Sequence, residues 1–301
     1  MTITKRTPRT FRNQGVIIHL DPTYQGLLDD LLVSIHPLWQ KYPKAYDIWR
    51  MLINDPECQI NWDMADYLTV HKLGYNDHGM THAMIVGANA VRIFDLLVTA
   101  GVQPDIVKAG IGENDDACVA VVAGALLHDI GNQVHRDWHP QMGASLALPV
   151  LNRILQEIYP NLTQQLEIRA FILHAIISHD FNPNPLTFEA GLVSIADGTD
   201  ITKGRGRKAF SLGKIDIHSI SALAIDTVEI RGCDEFPVEI LVTMNNSAGL
   251  FQIEDTLTKK IVRGPLSKYI TVTAVTKDGK NGGEERIIER LRLQDGSFKP
   301  T

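Results

Sequence analysis

The chain has 301 residues, 44% of them hydrophobic, which is enough for one large domain or two ordinary ones with a sizeable core. Its net charge of -6 and pI near 6.0 argue against a broad surface for nucleic acid or for an anionic membrane, and favour small-molecule partners. The three cysteines are far apart and form no CxxC pair, so neither a disulfide framework nor a zinc ribbon is indicated.

The first twenty residues are predicted to be an N-terminal tail. They carry basic residues with no apolar core after them, which is not the pattern of a signal peptide. We find no apolar run of about 18 residues, the length needed to span a membrane. We therefore expect a cytoplasmic protein with no membrane segment.

From Asp21 to about Leu192 apolar residues recur at the three- and four-residue intervals typical of helices. Asp21-Pro22 resembles a helix N-cap followed by a proline in the first turn. We predict one helical domain over residues 21–205. Its first helix starts at Asp21-Pro22, and the others are predicted over residues 63–72, 79–100, 116–130, 140–158 and 163–179.

The pattern changes after Gly213. The segments AIDTVEIRG, FPVEILVTMNN and KYITVTAVTKDG are rich in Val, Ile and Thr and predict strands, with helical spacing in SAGLFQIEDTLTKKIV between the last two. The predicted fold class is therefore an all-α domain followed by a smaller α+β domain over residues 206–301. Strand edges need pairing partners, which makes a homodimer a reasonable expectation.

Histidines are unevenly distributed along the chain. Imidazole nitrogens and carboxylate oxygens together suit first-row divalent metals, and several of these histidines lie beside an acid. Seven of the eleven lie within about a hundred residues: His78, His82, His128, His135, His139, His174 and His179.

The stretch ALLHDIGN places His128 and Asp129 at the end of an apolar helix, where an unpartnered polar group is costly. His78 and His82 are four residues apart and share a helix face if the helix already includes the first of them. Asp197 ends another apolar stretch. For each of these, a hydrogen-bonded core or turn residue is the alternative to a metal ligand.

Taken in order, His82, His128-Asp129 and Asp197 resemble the H…HD…D signature of the HD-domain metal-dependent phosphohydrolases, an all-helical superfamily. The resemblance covers about residues 75–205. It implies that these four side chains ligate a divalent metal, and it leaves the metal open among Fe, Mn, Zn, Ni, Co and Mg.

Two further segments resemble HD proteins that bind two metals. These are HPQMGA, which begins with His139, and AIISHD, which contains His179. The resemblance implies both histidines as ligands, in preference to His135 and His174. His78 occupies a position where some two-metal members carry an additional ligand.

Departures from the family pattern exclude two of the reactions known for this superfamily. Asn132 stands where the cyclic-dinucleotide hydrolases have lysine, and FNPNPLTF replaces their Gly-Tyr-Pro motif, so cyclic di-GMP hydrolysis is not expected. The acidic pair of the guanosine tetraphosphate hydrolases is not recognisable either.

The resemblance implies hydrolysis of a small phosphate ester by a metal-activated water. It implies His128 and Asp129 as the catalytic residues, with Asp129 as the carboxylate that bridges two metal ions. The basic, glycine-containing run after Asp197 is consistent with a phosphate-binding loop, and a solvated linker is the alternative. Candidates for binding the substrate are Asn132, Arg136, Lys203, Arg205, Arg207 and the neighbouring Lys208.

The sequence is compatible with two other functions. One is a sensor or regulator that binds metal but does not catalyse a reaction. The other is a di-iron oxygenase, because a few HD relatives use two irons for oxygen chemistry. No nucleic-acid polymer is expected as a partner. The C-terminal unit is assigned no catalytic role.

Overall fold

The protein is described by a computed structural model that covers residues 12–13, 16–17, 22–206, 217–276, 290–294 and 296–300. Most of the predicted tail lies outside these residues. Within it, the two-residue strands β1 (Arg12–Asn13) and β2 (Val16–Ile17) pair antiparallel.

The N-terminal region, predicted to be an all-α domain, is helical in the structure. The structure adds three helices that were not predicted, Pro43–Asn54, Asp105–Lys108 and Phe188–Gly198, and the helix predicted from residue 63 already begins at Pro56. Pro149 lies inside the helix His139–Ile158 without ending it. The helices are α1 Pro22–Ile35, α2 Pro43–Asn54, α3 Pro56–Asp66, α4 Met80–Thr99, α5 Asp105–Lys108, α6 Asn114–Leu127, α7 His139–Ile158, α8 Leu162–Ile177 and α9 Phe188–Gly198, with a π-helix at Tyr67–Lys72 and 3-10 turns at His36–Gln40 and Ile130–Gln133.

Helix α6 lies at the centre of this domain. Its residues from Asp116 to Leu127 are all buried, because a helix that is apolar on every face has no side to turn to solvent. It packs against α2, α4, α8 and α9. A capping box between Glu113 and Asp116 defines its start. Its other end carries His128 and Asp129 into the interior.

Helix α4 is long and apolar enough to cross a membrane, which differs from our expectation that no such segment exists. However, 72% of the apolar window is buried inside the protein, where α4 contacts α1, α6 and α9. Its composition is explained by this position in the core.

A mixed five-stranded sheet forms the C-terminal part, in the order β3-β4-β5-β6-β7. Neighbouring strands are antiparallel except β4 and β5, which are parallel. The three predicted strands are confirmed, and β6 and β7 were not predicted. The strands are β3 Ile225–Arg231, β4 Val238–Met244, β5 Ile270–Thr276, β6 Arg290–Gln294 and β7 Ser297–Pro300.

The crossover between β4 and β5 brings this sheet to the helical domain. Parallel neighbours cannot be joined by a tight turn, so the chain needs a longer connection. Residues 249–263 provide it as one helical stretch with a π-helical section, Ile253–Thr258, and this crossover helix packs against α9.

Glu189, in the first turn of α9, is a fully buried carboxyl group. Its Oε1 accepts a hydrogen bond of 2.9 Å from the Ile106 amide, whereas its Oε2 has no hydrogen-bond partner among the residues that the structure describes. Burial raises the pKa of Glu189 from 4.5 to about 7. The charged form is therefore disfavoured in the folded protein.

We expect Glu189→Gln to stabilise the protein above neutral pH. Because the folded-state pKa lies above the unfolded one, the wild type loses stability as the pH rises from about 4.5 to about 7. The variant carries no such charge, so its free energy of unfolding is expected to exceed that of the wild type by about 1–3 kcal/mol near pH 8. Urea unfolding of both proteins near pH 4.5 and near pH 8 measures this, and an equal difference at the two pH values would contradict the assignment.

Candidate metal centre

Four histidines at helix ends present the same ring nitrogen to one region of the interior. In each of them Nδ1 lies at hydrogen-bond distance from an oxygen acceptor, which keeps the proton on Nδ1 and leaves the Nε2 lone pair for a cation. The Nδ1 contacts are His82 to Asp200 Oδ2 at 2.7 Å, His128 to Ala125 O at 2.7 Å, His139 to Arg136 O at 2.8 Å and His179 to Ile176 O at 2.7 Å.

The Nε2 atoms of these histidines form two pairs on either side of Asp129. The atoms of His82 and His128 are 3.2 Å apart, and those of His139 and His179 are 3.1 Å apart. Asp129 Oδ2 lies 3.4 and 3.3 Å from the first pair, and Oδ1 lies 3.5 and 3.7 Å from the second. Each carboxylate oxygen thus faces a different pair, as in a carboxylate that bridges two cations.

Asp197 completes the first group, with its Oδ1 at 3.2 Å from His82 Nε2 and 3.7 Å from His128 Nε2. The donor atoms of His82, His128 and Asp197 lie within 4.8 Å of one another, and so do those of His128, Asp129 and His179. Facing lone pairs between carboxylates repel unless a cation lies between them. The donor set therefore fits divalent metal ions of the first transition row.

Ionisation in the cluster favours the ligand forms at most of these positions. Burial raises the pKa of Asp129 and of Asp197, but the surrounding imidazoles, and Lys260 beside Asp197, hold both pKa values well below the usual range. Burial also lowers the pKa of His128, and lowers that of His139 to about 3. These side chains are carboxylates and neutral imidazoles at neutral pH.

His82 behaves differently from the other histidines. Burial and Arg205 lower its pKa, but hydrogen bonds with Asp129, Asp197 and Asp200 outweigh them and raise the pKa to about 10. The three carboxylates therefore favour a positive charge at this imidazole. A proton and a metal ion would compete for the ring.

Asp200 contacts His82 at the ring nitrogen that faces away from the donor cluster. Its Oδ2 contacts His82 Nδ1 and accepts a hydrogen bond of 2.6 Å from the Tyr24 hydroxyl. The Arg205 guanidinium donates to the backbone oxygens of Asp200 and Asp77, each at 3.0 Å. A carboxylate on the second nitrogen of a metal-binding imidazole orients the ring and makes it a better ligand.

A cavity of about 520 Å³ opens over the cluster, which is a size suited to a small molecule. Its floor includes Asp129, His139, His179 and Asp197. Its walls come from both parts of the fold and carry charged, polar and aromatic side chains. They include Tyr75, Asn76, His78, Arg136, Asp180, Phe181, Arg205, Gln252, Asp255, Thr256 and Lys260.

Two of the predicted substrate-binding residues, Arg136 and Arg205, line this cavity. An Nη atom of Arg136 lies 3.3 Å from His139 Nε2, and one of Arg205 lies 3.1 Å from His82 Nε2. Both guanidinium groups therefore lie beside the donor cluster, where an anionic ligand would meet them.

Asn132, a candidate for substrate binding, lies beside Asp129 and not at the cavity wall. It is fully buried, and its side-chain amide donates to the Asp129 backbone oxygen at 3.0 Å and to Asp129 Oδ1 at 2.8 Å. Its other amide atom, Oδ1, accepts from Arg136 at 3.3 Å. Asn132 thus orients the central carboxylate and does not line the cavity.

The basic run predicted as a phosphate-binding loop is helical over its described residues, and of these only Arg205 lines the cavity. Lys203 Nζ pairs with Asp226 in β3 at 2.7 Å and does not line the cavity. Residues 203–206 are helical. A Cβ on Gly204 or Gly206 would lie 2.9 or 2.8 Å from a neighbouring side chain, so these glycines serve close packing. Arg207 and Lys208 lie outside the described residues.

Histidines outside the cluster have other partners. His78 lines the cavity, with Nδ1 at 2.6 Å from Asn76 O, and its ring centroid lies 5.9 Å from that of His82. His174 Nε2 accepts from the Leu186 amide at 3.1 Å, and His135 is exposed. The structure therefore brings His139 and His179 into the cluster and leaves His135 and His174 outside it.

Sequence reasoning missed Asp180 and Lys260. Asp180 directly follows His179 and lies 4.0 Å from His139 Nε2, so its position beside a predicted ligand was a usable signal. Lys260 pairs with Asp197 Oδ2 and donates to the His179 backbone oxygen at 3.0 Å. Nothing near it in the sequence indicates this contact, because it belongs to the crossover helix.

The helical fold and the ordered His, His-Asp and Asp positions place this chain in the HD-domain superfamily, whose family model matches residues 81–202. The chain belongs to this superfamily. It is 41% identical over 249 residues to an uncharacterised protein, MJ1020, of Methanocaldococcus jannaschii, over 83% of this chain and 95% of that protein. No solved structure gives a match.

Proposed function

We propose that this protein is a metal-dependent phosphohydrolase that acts on a small phosphate ester. The observation that carries the proposal is the arrangement of four imidazoles, each with Nδ1 held by an oxygen, around the two oxygens of Asp129. HD-domain proteins are often phosphohydrolases, and membership of the superfamily supports metal-dependent hydrolysis as the class of activity.

Individual side chains have distinct tasks in this proposal. The metal site would be held by His82, His128, Asp129 and Asp197, with His139 and His179 as the second group. Bound divalent ions would supply an activated water and neutralise charge on the phosphoryl group. Asn132 and Asp200 orient Asp129 and His82 through their hydrogen bonds.

Recognition of the phosphate falls to Arg136 and Arg205. A guanidinium group carries a permanent positive charge and donates in a fork that matches phosphate oxygens. Both groups lie at the wall of the cavity beside the donor cluster, so an ester whose phosphate reaches the floor is expected to contact them. The limited volume favours a small phosphorylated molecule over a polymer.

Metal content and hydrolysis test the proposal together. Elemental analysis of the purified protein, as isolated and after reconstitution with Mn²⁺ or Fe²⁺, is expected to find between about one and two ions per chain. A screen of phosphate monoesters and diesters is expected to find phosphate release that a chelator abolishes and added metal restores. Failure to bind any metal after reconstitution would exclude this mechanism.

The same screen separates two alternatives. A full metal complement with no hydrolysis of any phosphate compound would favour a metal-binding sensor. An optical band from an oxidised di-iron centre, together with oxygen uptake, would favour an oxygenase.

A further inference from the structure

Lys260 is a buried cation at the edge of the donor cluster, and it comes from the C-terminal part of the chain. Its side chain is only 4% exposed. Nζ contacts Asp197 Oδ2 and the His179 backbone oxygen, so it touches one proposed ligand and the backbone of another. The Phe181 ring lies 5.6 Å from Nζ and contributes a cation–π contact.

The two oxygens of Asp197 have different partners. Oδ1 faces the Nε2 atoms of His82 and His128 at 3.2 and 3.7 Å, whereas Oδ2 is bound to Lys260. An ammonium group draws electron density from the oxygen that it contacts, so the other oxygen of Asp197 is the better donor to a metal ion. The charge pair thus favours the orientation in which Oδ1 faces the histidines.

We propose that Lys260 is a positioning residue of the metal centre, which holds Asp197 as a ligand through one oxygen. This inference rests on the metal centre of the proposed function. It also gives the C-terminal domain a role, because the crossover between β4 and β5 carries the lysine to the site.

The surroundings of Lys260 are shaped for this role. Burying an ammonium group is costly unless it is paired and hydrogen-bonded, and two of its three hydrogens have oxygen acceptors here. Helix α9 approaches the lysine at Gly198, where a Cβ would lie 3.2 Å from Lys260 Cδ. The crossover helix and α9 therefore meet at the side chain that contacts Asp197.

The neighbouring Lys259 offers a matched control. It lies on the same crossover helix and also contacts the Phe181 ring, at 5.8 Å, but its Nζ pairs with Asp255 four residues earlier and its side chain is half exposed. It contacts neither Asp197 nor His179 in the structure. Removing this charge changes the same helix without touching the proposed ligands.

The test compares metal binding by Lys260→Met, Lys260→Arg and Lys259→Met with the wild type, using Co²⁺ added to chelator-treated protein. Loss of an outer contact to a ligand typically weakens metal binding by about 10- to 100-fold, and we expect this of Lys260→Met. Lys260→Arg keeps the positive charge but not the compact ammonium geometry. We therefore expect its affinity for Co²⁺ to lie between that of the wild type and that of Lys260→Met. Lys259→Met is expected to bind like the wild type.

The visible spectrum at saturating Co²⁺ separates positioning from stability. If Asp197 changes from one ligating oxygen to two, or moves away, the coordination of Co²⁺ and its absorption change in Lys260→Met. Wild-type affinity in both Lys260 variants would overturn the proposal. Weaker affinity with an unchanged cobalt spectrum would also overturn it, because Lys260 would then act only through stability.

Failure of the Lys260 proposal can be told apart from failure of the proposed function. If the wild type binds no metal, the proposal of a metal centre fails. If the wild type binds metal and the Lys260 variants match it, only the positioning role fails. Hydrolysis is not needed for either readout.

Discussion

If the proposed function is correct, Asp129→Asn is expected to lower the metal content and to reduce phosphate-ester hydrolysis by about 10³-fold or more, equivalent to about 4 kcal/mol of transition-state stabilisation. In the wild type each oxygen of Asp129 faces one histidine pair. Asparagine has a single acceptor oxygen and a donor amide, so one pair would face hydrogens where a metal ion is expected. Elemental analysis and initial rates measure the two effects.

Asp116→Asn is the matched control for that variant, because Asp116 is also buried and lies at the other end of α6. It accepts hydrogen bonds from Lys44 at 2.7 Å and from Tyr159 at 3.0 Å, and it belongs to neither group of donor residues. We expect it to lower the free energy of unfolding by about 1–3 kcal/mol while the metal content stays at the wild-type value. Wild-type metal content in Asp129→Asn would refute the bridging role.

Gly131→Ala is expected to be the most disruptive small substitution near the site. A Cβ at this position would lie 1.9 Å from the His139 backbone oxygen and 2.4 Å from the Gly143 amide nitrogen. The turn after Asp129 and the first turn of α7 therefore touch backbone to backbone. Because backbone cannot rotate away as a side chain can, we expect α7 to shift, with a loss of about 3–5 kcal/mol and displacement of His139 from the cluster.

Gly26→Ala provides the control for Gly131→Ala. Gly26 lies inside α1, and a Cβ there would meet nothing within 4 Å. Alanine has the higher helix propensity, so this variant is expected to gain about 0.5–1 kcal/mol. Chemical unfolding of both variants, with the metal content of each, measures the comparison. A stable Gly131→Ala protein with full metal content would show that the contact between the turn and α7 is dispensable.

Much of the helical domain could be predicted because helical periodicity reports directly which residues are buried. The unbroken apolar run of α6 predicted both a core helix and a costly His128-Asp129 pair at its end. The last two strands were missed for another reason: β6 alternates over only five residues and has no Val, Ile or Thr, and β7 has four residues of which none is buried.

The positions of the candidate substrate-binding residues were harder to predict, because proximity in sequence does not determine the direction of a side chain. Arg136 and Arg205 line the cavity, but Asn132 turns inward to Asp129 and Lys203 turns to Asp226. The glycines of the basic run were interpreted as making room for an anion. In the fold they make room for neighbouring side chains.

The sequence by itself determined the fold class and the superfamily, since these depend on periodicity and on the order of a few polar residues at helix ends. The resemblance favoured His139 and His179 over His135 and His174, but only the tertiary structure shows that their Nε2 atoms converge beside Asp129, because the start of α7 and the end of α8 meet there. The tertiary structure also decided that Lys260 contacts Asp197 across more than sixty residues of chain. Such a contact depends on the packing of the crossover helix against α9, which local sequence patterns do not encode.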